Sequence, residues 1–244
     1  MILPDWPAPA NVKAVTTTRV GGVSVAPYQG FNLGAHVGDD STAVQANRDS
    51  LQSQLGLQHP LAWLNQTHST EVIELVHPLN CVPDADGSYT QQSNLACTVM
   101  TADCLPVILC DKAGTQVAAV HAGWRGLADG ILEATVARFS CEKSDILAWM
   151  GPAIGADAFE VGGEVRKQFM AFDAIAQHAF TASTKDTDDK WFASLYMLAT
   201  QRLNNVGVTA VFGGDYCTYR DAKQFYSYRR DGVTGRQATL VWLD

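Results

Sequence analysis

The sequence predicts an α/β fold, a single layered α/β/α domain over residues 1–244 around a mixed sheet. Three observations predict it. The chain has 244 residues, 47% of them hydrophobic, which supplies one large core at roughly 100–200 residues per domain. Ten short apolar or β-branched runs are bounded by turn residues, and several lack alternation, so both of their faces are covered. Three stretches with helical spacing are interspersed with those runs, the pattern of helices packed on a sheet. No internal repeat, low-complexity segment or linker interrupts the chain.

In chain order, the first strand candidates are Val12–Thr18, Ala62–Leu64, Val72–Val76 and Cys97–Met100. Val107–Cys110 and Gln116–Val120 follow as a pair, joined by the turn Asp111-Lys112-Ala113-Gly114. The first helix is expected over about Leu127–Phe139, with Leu132, Val136 and Phe139 at i, i+4 and i+7. The strand candidate Ile146–Met150 and a helix over about Gly163–Phe172 come next. The polar tract Thr181–Lys190 reads as an exposed loop. A third helix over about Phe192–Asn204 carries one apolar stripe, Leu195, Leu198, Ala199 and Leu203. Strand candidates Thr209–Phe212, Gln224–Tyr228 and Ala238–Trp242 complete the chain.

Charge narrows the function. Seventeen Lys and Arg against 25 Asp and Glu give a net charge of −8, which argues against non-specific nucleic-acid binding. A small anion held by a few arginines stays compatible. No apolar stretch approaches the ~20 residues of a membrane helix. Met1-Ile2-Leu3 runs into Pro4-Asp5 without a signal-peptide pattern. The six cysteines, at 81, 97, 104, 110, 141 and 217, are scattered and form no CxxC pair. Free thiols in a reducing compartment, and a cytoplasmic protein, are therefore expected.

The stretch TADCLPVILCDKAGTQVAAVHAGWRG (residues 101–126) concentrates the reactive groups. Cys104 stands just before one apolar run, beside Asp103 and Pro106. His121 closes the next, ahead of Ala122, Gly123 and Gly126, small residues that allow a tight turn and close approach of a ligand. The turn is expected to deliver a helix starting near Gly126 or Leu127, whose N-terminus favours an anion. If the two runs form an antiparallel hairpin, Cys104 and His121 share one edge of the sheet. His68, in the polar segment WLNQTHSTEV, is the third candidate, and His36 in NLGAHVGDD a weaker one. His59 and His77 each precede proline and read as loop surface, and His178 as a helix-face residue. Two His and one Cys make a three-ligand zinc set with a position left for water. A Cys nucleophile with a His base is the rival chemistry, and a buried thiol with a hydrogen-bonded structural histidine is the plain alternative.

The motifs QTH, TADCLPVIL, AVHAGWRG, GPAIG…FEVGGEV, FGGDYCTY and YSYRRD…GR occur in an order that resembles the laccase-domain family. Its bacterial members have been called polyphenol oxidases, YfiH-type proteins, purine nucleoside phosphorylases and peptidoglycan editing factor. The resemblance runs from TTTRVGG to the last strand. It implies a layered α/β/α domain and a zinc site, or copper in some reports, with His68, Cys104 and His121 as ligands. It further implies phosphorolysis of adenosine, inosine and methylthioadenosine and deamination of adenosine. The expected partners are therefore a purine nucleoside and phosphate; charge and hydropathy lead us to expect no nucleic acid and no membrane, and a monomer or homodimer is expected. Laccase chemistry in the strict sense fits poorly. A multicopper oxidase binds a trinuclear cluster with histidines arriving as H-x-H pairs, and this chain has six His and no H-x-H. One copper would still suit imidazole and thiolate.

For such chemistry Cys104, His121 and Asp103 are the catalytic candidates, Asp103 as a proton shuttle or, equally, a turn aspartate. Arg19, Arg125 and Arg229 are candidates for phosphate, alongside Arg48 and Arg230, since guanidinium forks suit it. Arg19 and Arg125 rank first because glycines stand beside them. Trp124, Phe31 or Tyr28 would stack on a purine. Asn32 would hydrogen-bond base or ribose, or form an Asx turn. The competing assignment is a cysteine hydrolase or amidase acting on a peptidoglycan precursor, with Cys104 as nucleophile and His121 as base. A protein that only binds metal or ligand is the third.

Overall fold

The computed structural model describes residues 1–183 and 189–244. Its elements are β1 (Val12–Thr16), α1 (Ser41–Leu55), β2 (Val72–Glu74), β3 (Gly87–Thr90), β4 (Cys97–Thr101), β5 (Leu105–Asp111), β6 (Val117–Ala122), α2 (Trp124–Asp129), α3 (Ile131–Val136) and β7 (Ile146–Met150). They continue with β8 (Glu160–Gly162), α4 (Gly163–Phe172), β9 (Phe180–Ala182), β10 (Lys190–Ala193), α5 (Leu195–Asn205), β11 (Ala210–Gly213), α6 (Tyr228–Asp231) and β12 (Gln237–Leu243).

Six strands form the central sheet in the order β11-β7-β5-β6-β3-β2. It is mixed: β11 runs parallel to β7 and β2 parallel to β3, and the other neighbours are antiparallel. The α/β class is as the sequence predicts. Every residue of β5 and β6 is buried, and the pleat explains why neither run alternates. Leu105, Val107 and Leu109 point into a core shared with Leu127, Leu132 and Leu198 of the helices. Ile108 and Cys110 point the other way, against Val99 and Val241. Those partners belong to a second, antiparallel sheet, β1-β12-β4, so the β layer is two sheets thick. The outer face of that second sheet is closed by α1, whose Leu51 joins Val15, Leu240 and Trp242.

Several elements differ from the sequence expectation. The stretch Leu127–Phe139 is two short helices, α2 and α3, broken at Gly130, whose φ of 103° only glycine adopts readily. The first begins at Trp124, earlier than expected, and runs six residues. The third helix begins at Leu195, capped by Ser194, because Phe192 belongs to β10. Ala62–Leu64 makes a single bridge, Ala62 to Cys97. Gln224–Tyr228 is no strand: Phe225 and Tyr226 are buried, but they lead into α6. Of the tract Thr181–Lys190, residues 184–188 lie outside the described residues, and its flanks form β9 and β10, which pair antiparallel.

Helix α1 has no counterpart in the sequence expectation. Its sequence, STAVQANRDSLQSQL, buries only Val44, Asn47 and Leu51, too thin a stripe to stand out by periodicity. Its caps were the available signal. The Asp40 side chain accepts the Ala43 N–H at 2.9 Å, and Gly56 closes the helix at φ 65°. No helix among the described residues is long and apolar enough to cross a membrane.

Leu51 is fully buried. Leu51→Ala is therefore expected to lower unfolding free energy by about 2–5 kcal/mol, read by urea denaturation. A loss under about 1 kcal/mol would mean that α1 does not seal the second sheet.

Candidate metal centre

In the β5–β6 hairpin Pro106 lies opposite His121, and Leu105 opposite Ala122. Cys104, entering β5, and His121, leaving β6, therefore meet at one end of the sheet. His68 arrives from the loop between Leu64 and Val72. That loop is docked by Gln66, whose amide mimics a strand: its Oε1 accepts the Met100 N–H and its Nε2 donates to the Met100 carbonyl, both at 2.8 Å. His68 itself has φ 62°, a conformation uncommon outside glycine. It turns the imidazole towards Cys104, with Nε2 3.9 Å from the sulfur.

The ligand atoms of His68, Cys104 and His121 all lie within 4.8 Å of one another. A tetrahedral zinc with bonds of about 2.0–2.3 Å holds its ligand atoms about 3.3–3.7 Å apart, so these atoms would have to draw in by up to about 1 Å to share one ion. The backbone leaves the space for it. A Cβ on Gly123 would lie 2.6 Å from His68 Cδ2 and 3.2 Å from Cys104 Sγ. Two imidazoles and a thiolate are the donor set of zinc and also of copper. Among the described residues this is the one His, Cys, Asp or Glu group of that kind, a single centre and no multinuclear cluster.

Asp86, absent from the sequence candidates, organises the group. It directly precedes β3 and lies beside His121 across the β3–β6 pairing, where the His121 N–H donates to the Asp86 carbonyl at 2.7 Å. Its carboxylate is fully buried. One oxygen accepts His121 Nδ1–H at 2.8 Å and the His68 N–H at 3.0 Å. The other accepts Ser69 N–H at 2.6 Å, Ser69 O–H at 2.8 Å and Thr67 N–H at 3.1 Å. Because a carboxylate only accepts, Nδ1 carries the hydrogen and Nε2 of His121 is left to bind a metal.

The electrostatics follow. Burial would raise the Asp86 carboxyl, but the hydrogen bonds from His121 and Ser69 outweigh it and hold the group well below the usual carboxylate range. Burial also works against the Cys104 thiolate, yet the His121 charge and hydrogen bonds from both histidines bring the thiol down to about 6. His121 rises to about 9: burial opposes its charge, and Cys104 and Asp86 more than compensate. Cys97 and Cys110, without such partners, are pushed up to about 12 by burial. Of these three thiols, only Cys104 is shifted towards the thiolate.

The three ligands line a cavity of about 430 Å³. Trp124, Phe159, Met100 and Ile154 give it apolar walls, Arg125, Arg229 and Arg236 give it positive ones, and His36 adds an imidazole. Arg125 stacks on Trp124, its Cζ 4.5 Å from the ring. Arg229 lies over Phe159 and donates to the Glu160 carbonyl at 2.9 Å. Asp103 also lines the cavity, but both its oxygens are engaged: Thr218 O–H donates to one and the Arg229 N–H to the other, each at 2.6 Å. This geometry gives Asp103 the work of tying the segment of Thr218 and Arg229 over the centre.

Two substrate-binding candidates sit elsewhere. Arg19 lies outside this cavity, over the Tyr226 ring at 4.7 Å, with Nη1 on the Ala222 carbonyl at 3.3 Å. Its neighbouring glycines shape a separate hollow. Asn32 is fully buried. Its Oδ1 accepts the Gly34 and Arg236 N–H groups at 2.9 and 2.8 Å, the Asx turn of the two readings. The exposed imidazoles of His59, His77 and His178 do not line this cavity. Arg236, the last residue of YSYRRDGVTGR and not among the candidates, is a cavity residue, and so is Phe159. Asp86 carried only the signal of an acid preceding a glycine at a strand start.

Asp86→Asn keeps the shape but places an amide against His121. It is expected to weaken Zn²⁺ affinity about 10–100-fold, measured by competition with a chromophoric chelator, and unchanged affinity would remove Asp86 from the centre. Gly123→Ala is expected to lose bound Zn²⁺ with the fold retained by circular dichroism. Full zinc content in that variant would show that the ion lies away from Gly123.

Residues 13–244 match the family described as multi-copper polyphenol oxidoreductase laccase. The purine nucleoside phosphorylase YfiH of Escherichia coli strain K12 is 51% identical over 243 residues, covering 100% of this chain and 98% of that protein. The purine nucleoside phosphorylase PA4543 of Pseudomonas aeruginosa is 52% identical over 242 residues, covering 99% and 98%. Among solved structures, the Neisseria meningitidis protein NMB0706 superposes with a TM-score of 0.95 at 51% identity, over 100% of this chain and 98% of that one. YlmD of Geobacillus stearothermophilus gives 0.84 at 28% identity, over 96% and 92%. Matched over residues 13–244, the chain belongs to the multi-copper polyphenol oxidoreductase laccase family.

Proposed function

We propose that this chain is a zinc-dependent purine nucleoside phosphorylase with adenosine deaminase activity. Adenosine, inosine and methylthioadenosine are its substrates, each with phosphate. The observation that carries the reading is the convergence of His68, Cys104 and His121 in a cavity with aromatic walls and arginines around it. A volume of about 430 Å³ falls within the ~300–1,000 Å³ of small-molecule sites. Relatives at about half identity over their whole length carry the phosphorylase name, which supports it.

Zn²⁺ bound by His68 Nε2, Cys104 Sγ and His121 Nε2 would keep a fourth position open and supply Lewis-acid polarisation and water activation near neutral pH; Cu²⁺ suits the same donors. The rest is the work of the chain. Asp86 fixes the His121 tautomer and the His68 loop. Trp124, Phe159 and Tyr228 offer faces for a purine. In phosphorolysis the C1′–N bond breaks with its electron pair leaving on the purine, and a phosphate oxygen bonds to C1′. Arg125 and Arg229 place positive charge along the wall where that anion enters.

One observation favours a second reading. The thiol of Cys104 is lowered beside His121, whose other ring nitrogen is held by Asp86, the order of nucleophile, base and orienting acid. A cysteine hydrolase or amidase acting on a peptidoglycan precursor would use it.

Purified protein incubated with adenosine and phosphate is expected to yield adenine and ribose 1-phosphate, with inosine from deamination, followed by chromatography. His68→Ala, Cys104→Ala and His121→Ala are each expected to lose the zinc and fall to background turnover. A metal-free protein that forms a covalent adduct at Cys104 and turns over no nucleoside would overturn the phosphorylase reading in favour of the hydrolase.

A further inference from the structure

Three arginines line the cavity, and they are not alike. Arg125 and Arg229 are exposed, each laid over an aromatic ring. Arg236 is partly buried and sits immediately before β12. Its backbone N–H is fixed by Asn32 Oδ1 at 2.8 Å. Its Nη1 donates to the Thr234 and Gly235 carbonyls, both at 3.0 Å. Among the described residues, no acceptor bonds to its Nε or Nη2 and no carboxylate pairs with it. A partly buried guanidinium with three of its five N–H donors unused, on the wall of a cavity, is built for an anion.

The surroundings are arranged for it. A Cβ at Gly34 would lie 2.7 Å from Arg236 Cγ, so glycine there makes room for the stem. His36, from the same loop, lines the cavity too. Burial first, and then the charges of Arg236, Arg48 and His121, depress its pKa, so positive charge surrounds it. Arg236 in turn lies near enough to Cys104 and Asp103 to feel their charge. The Asp103 oxygens are taken by Thr218 and Arg229, and Cys104 belongs to the metal centre. In a chain with net charge −8, a cavity wall whose one carboxylate, Asp103, is already held by Thr218 and the Arg229 N–H is a local construction.

We infer that Arg236, with His36 beside it, forms the phosphate-binding subsite of the cavity, its Nε and Nη2 forming the fork that receives the anion next to the His68–Cys104–His121 centre. This deepens the phosphorylase reading and rests on it for the identity of the anion as a co-substrate. Lysine would keep the charge but not the planar fork.

The test is calorimetric titration of the zinc-loaded full chain with inorganic phosphate, repeated on Arg236→Gln and Arg236→Lys, with adenosine titrated separately and zinc content and melting temperature recorded. Arg236→Gln is expected to weaken phosphate binding about 10–100-fold, and Arg236→Lys to recover only part of it. Zinc content is expected to be unchanged, and adenosine affinity to move less than about twofold. Should Arg236→Gln fail to fold, Arg236→Lys, which retains the charge, carries the comparison. Phosphate affinity equal to that of the unaltered chain in both variants would overturn the inference, as would an unaltered chain that binds no phosphate. The two readings separate cleanly. Arg236-dependent phosphate binding without cleavage of any purine nucleoside removes the phosphorylase reading and leaves the subsite. Cleavage whose phosphate KM is unmoved in Arg236→Gln removes the subsite and leaves the reading.

Discussion

The buried carboxylate of Asp86 is the constraint on which the centre depends. Among the described residues it has no lysine or arginine partner. Its charge is balanced by an imidazole and by the N–H and O–H dipoles of three consecutive residues, Thr67, Ser69 and His68. Such a group tolerates no missing partner, because an uncompensated buried charge is costly. One acid therefore fixes the loop that carries one ligand and the ring orientation of another. The third, Cys104, needs no such device, since the β5–β6 register delivers it to the same edge.

The doubled β layer explains where the cavity lies. Two stacked sheets bury their facing surfaces in an apolar core, and a site can open only where the strands end. β4, β5 and β6 end together, at Thr101, Leu105 and Ala122, and loops from distant parts of the chain close over them. Gln66 fastens one of these loops to β4 through paired amide hydrogen bonds, and Asp103 fastens another through Thr218 and Arg229. The floor of the cavity, where His68, Cys104 and His121 sit, is thus fastened by side-chain hydrogen bonds, and the arginines stand on the walls.

What was legible in the sequence is what short-range patterns encode. The continuous runs around Asp111–Gly114 announced a hairpin buried on both faces, and the hairpin alone brings Cys104 to His121. The stripe Leu195, Leu198, Ala199 and Leu203 announced α5, though not its start after Ser194. α1 was hidden because two apolar side chains and an asparagine suffice to dock it. Asp86 was hidden because its partners are 17 to 35 residues away and meet it through strand register. The arginines illustrate the same limit. Arg19 and Arg236 each stand beside a glycine, but the glycines of one shape a turn on a separate surface, whereas Gly34, far from Arg236 in sequence, makes room for its stem.

The central claim is that two imidazoles and one thiolate hold a single ion. X-ray absorption on the zinc-loaded protein tests it most directly. The expected spectrum has one sulfur at about 2.3 Å and two imidazole nitrogens at about 2.0–2.1 Å, with a light atom completing the shell. A shell of nitrogen and oxygen alone, without sulfur, would contradict it, since Cys104 would then stand outside the coordination sphere.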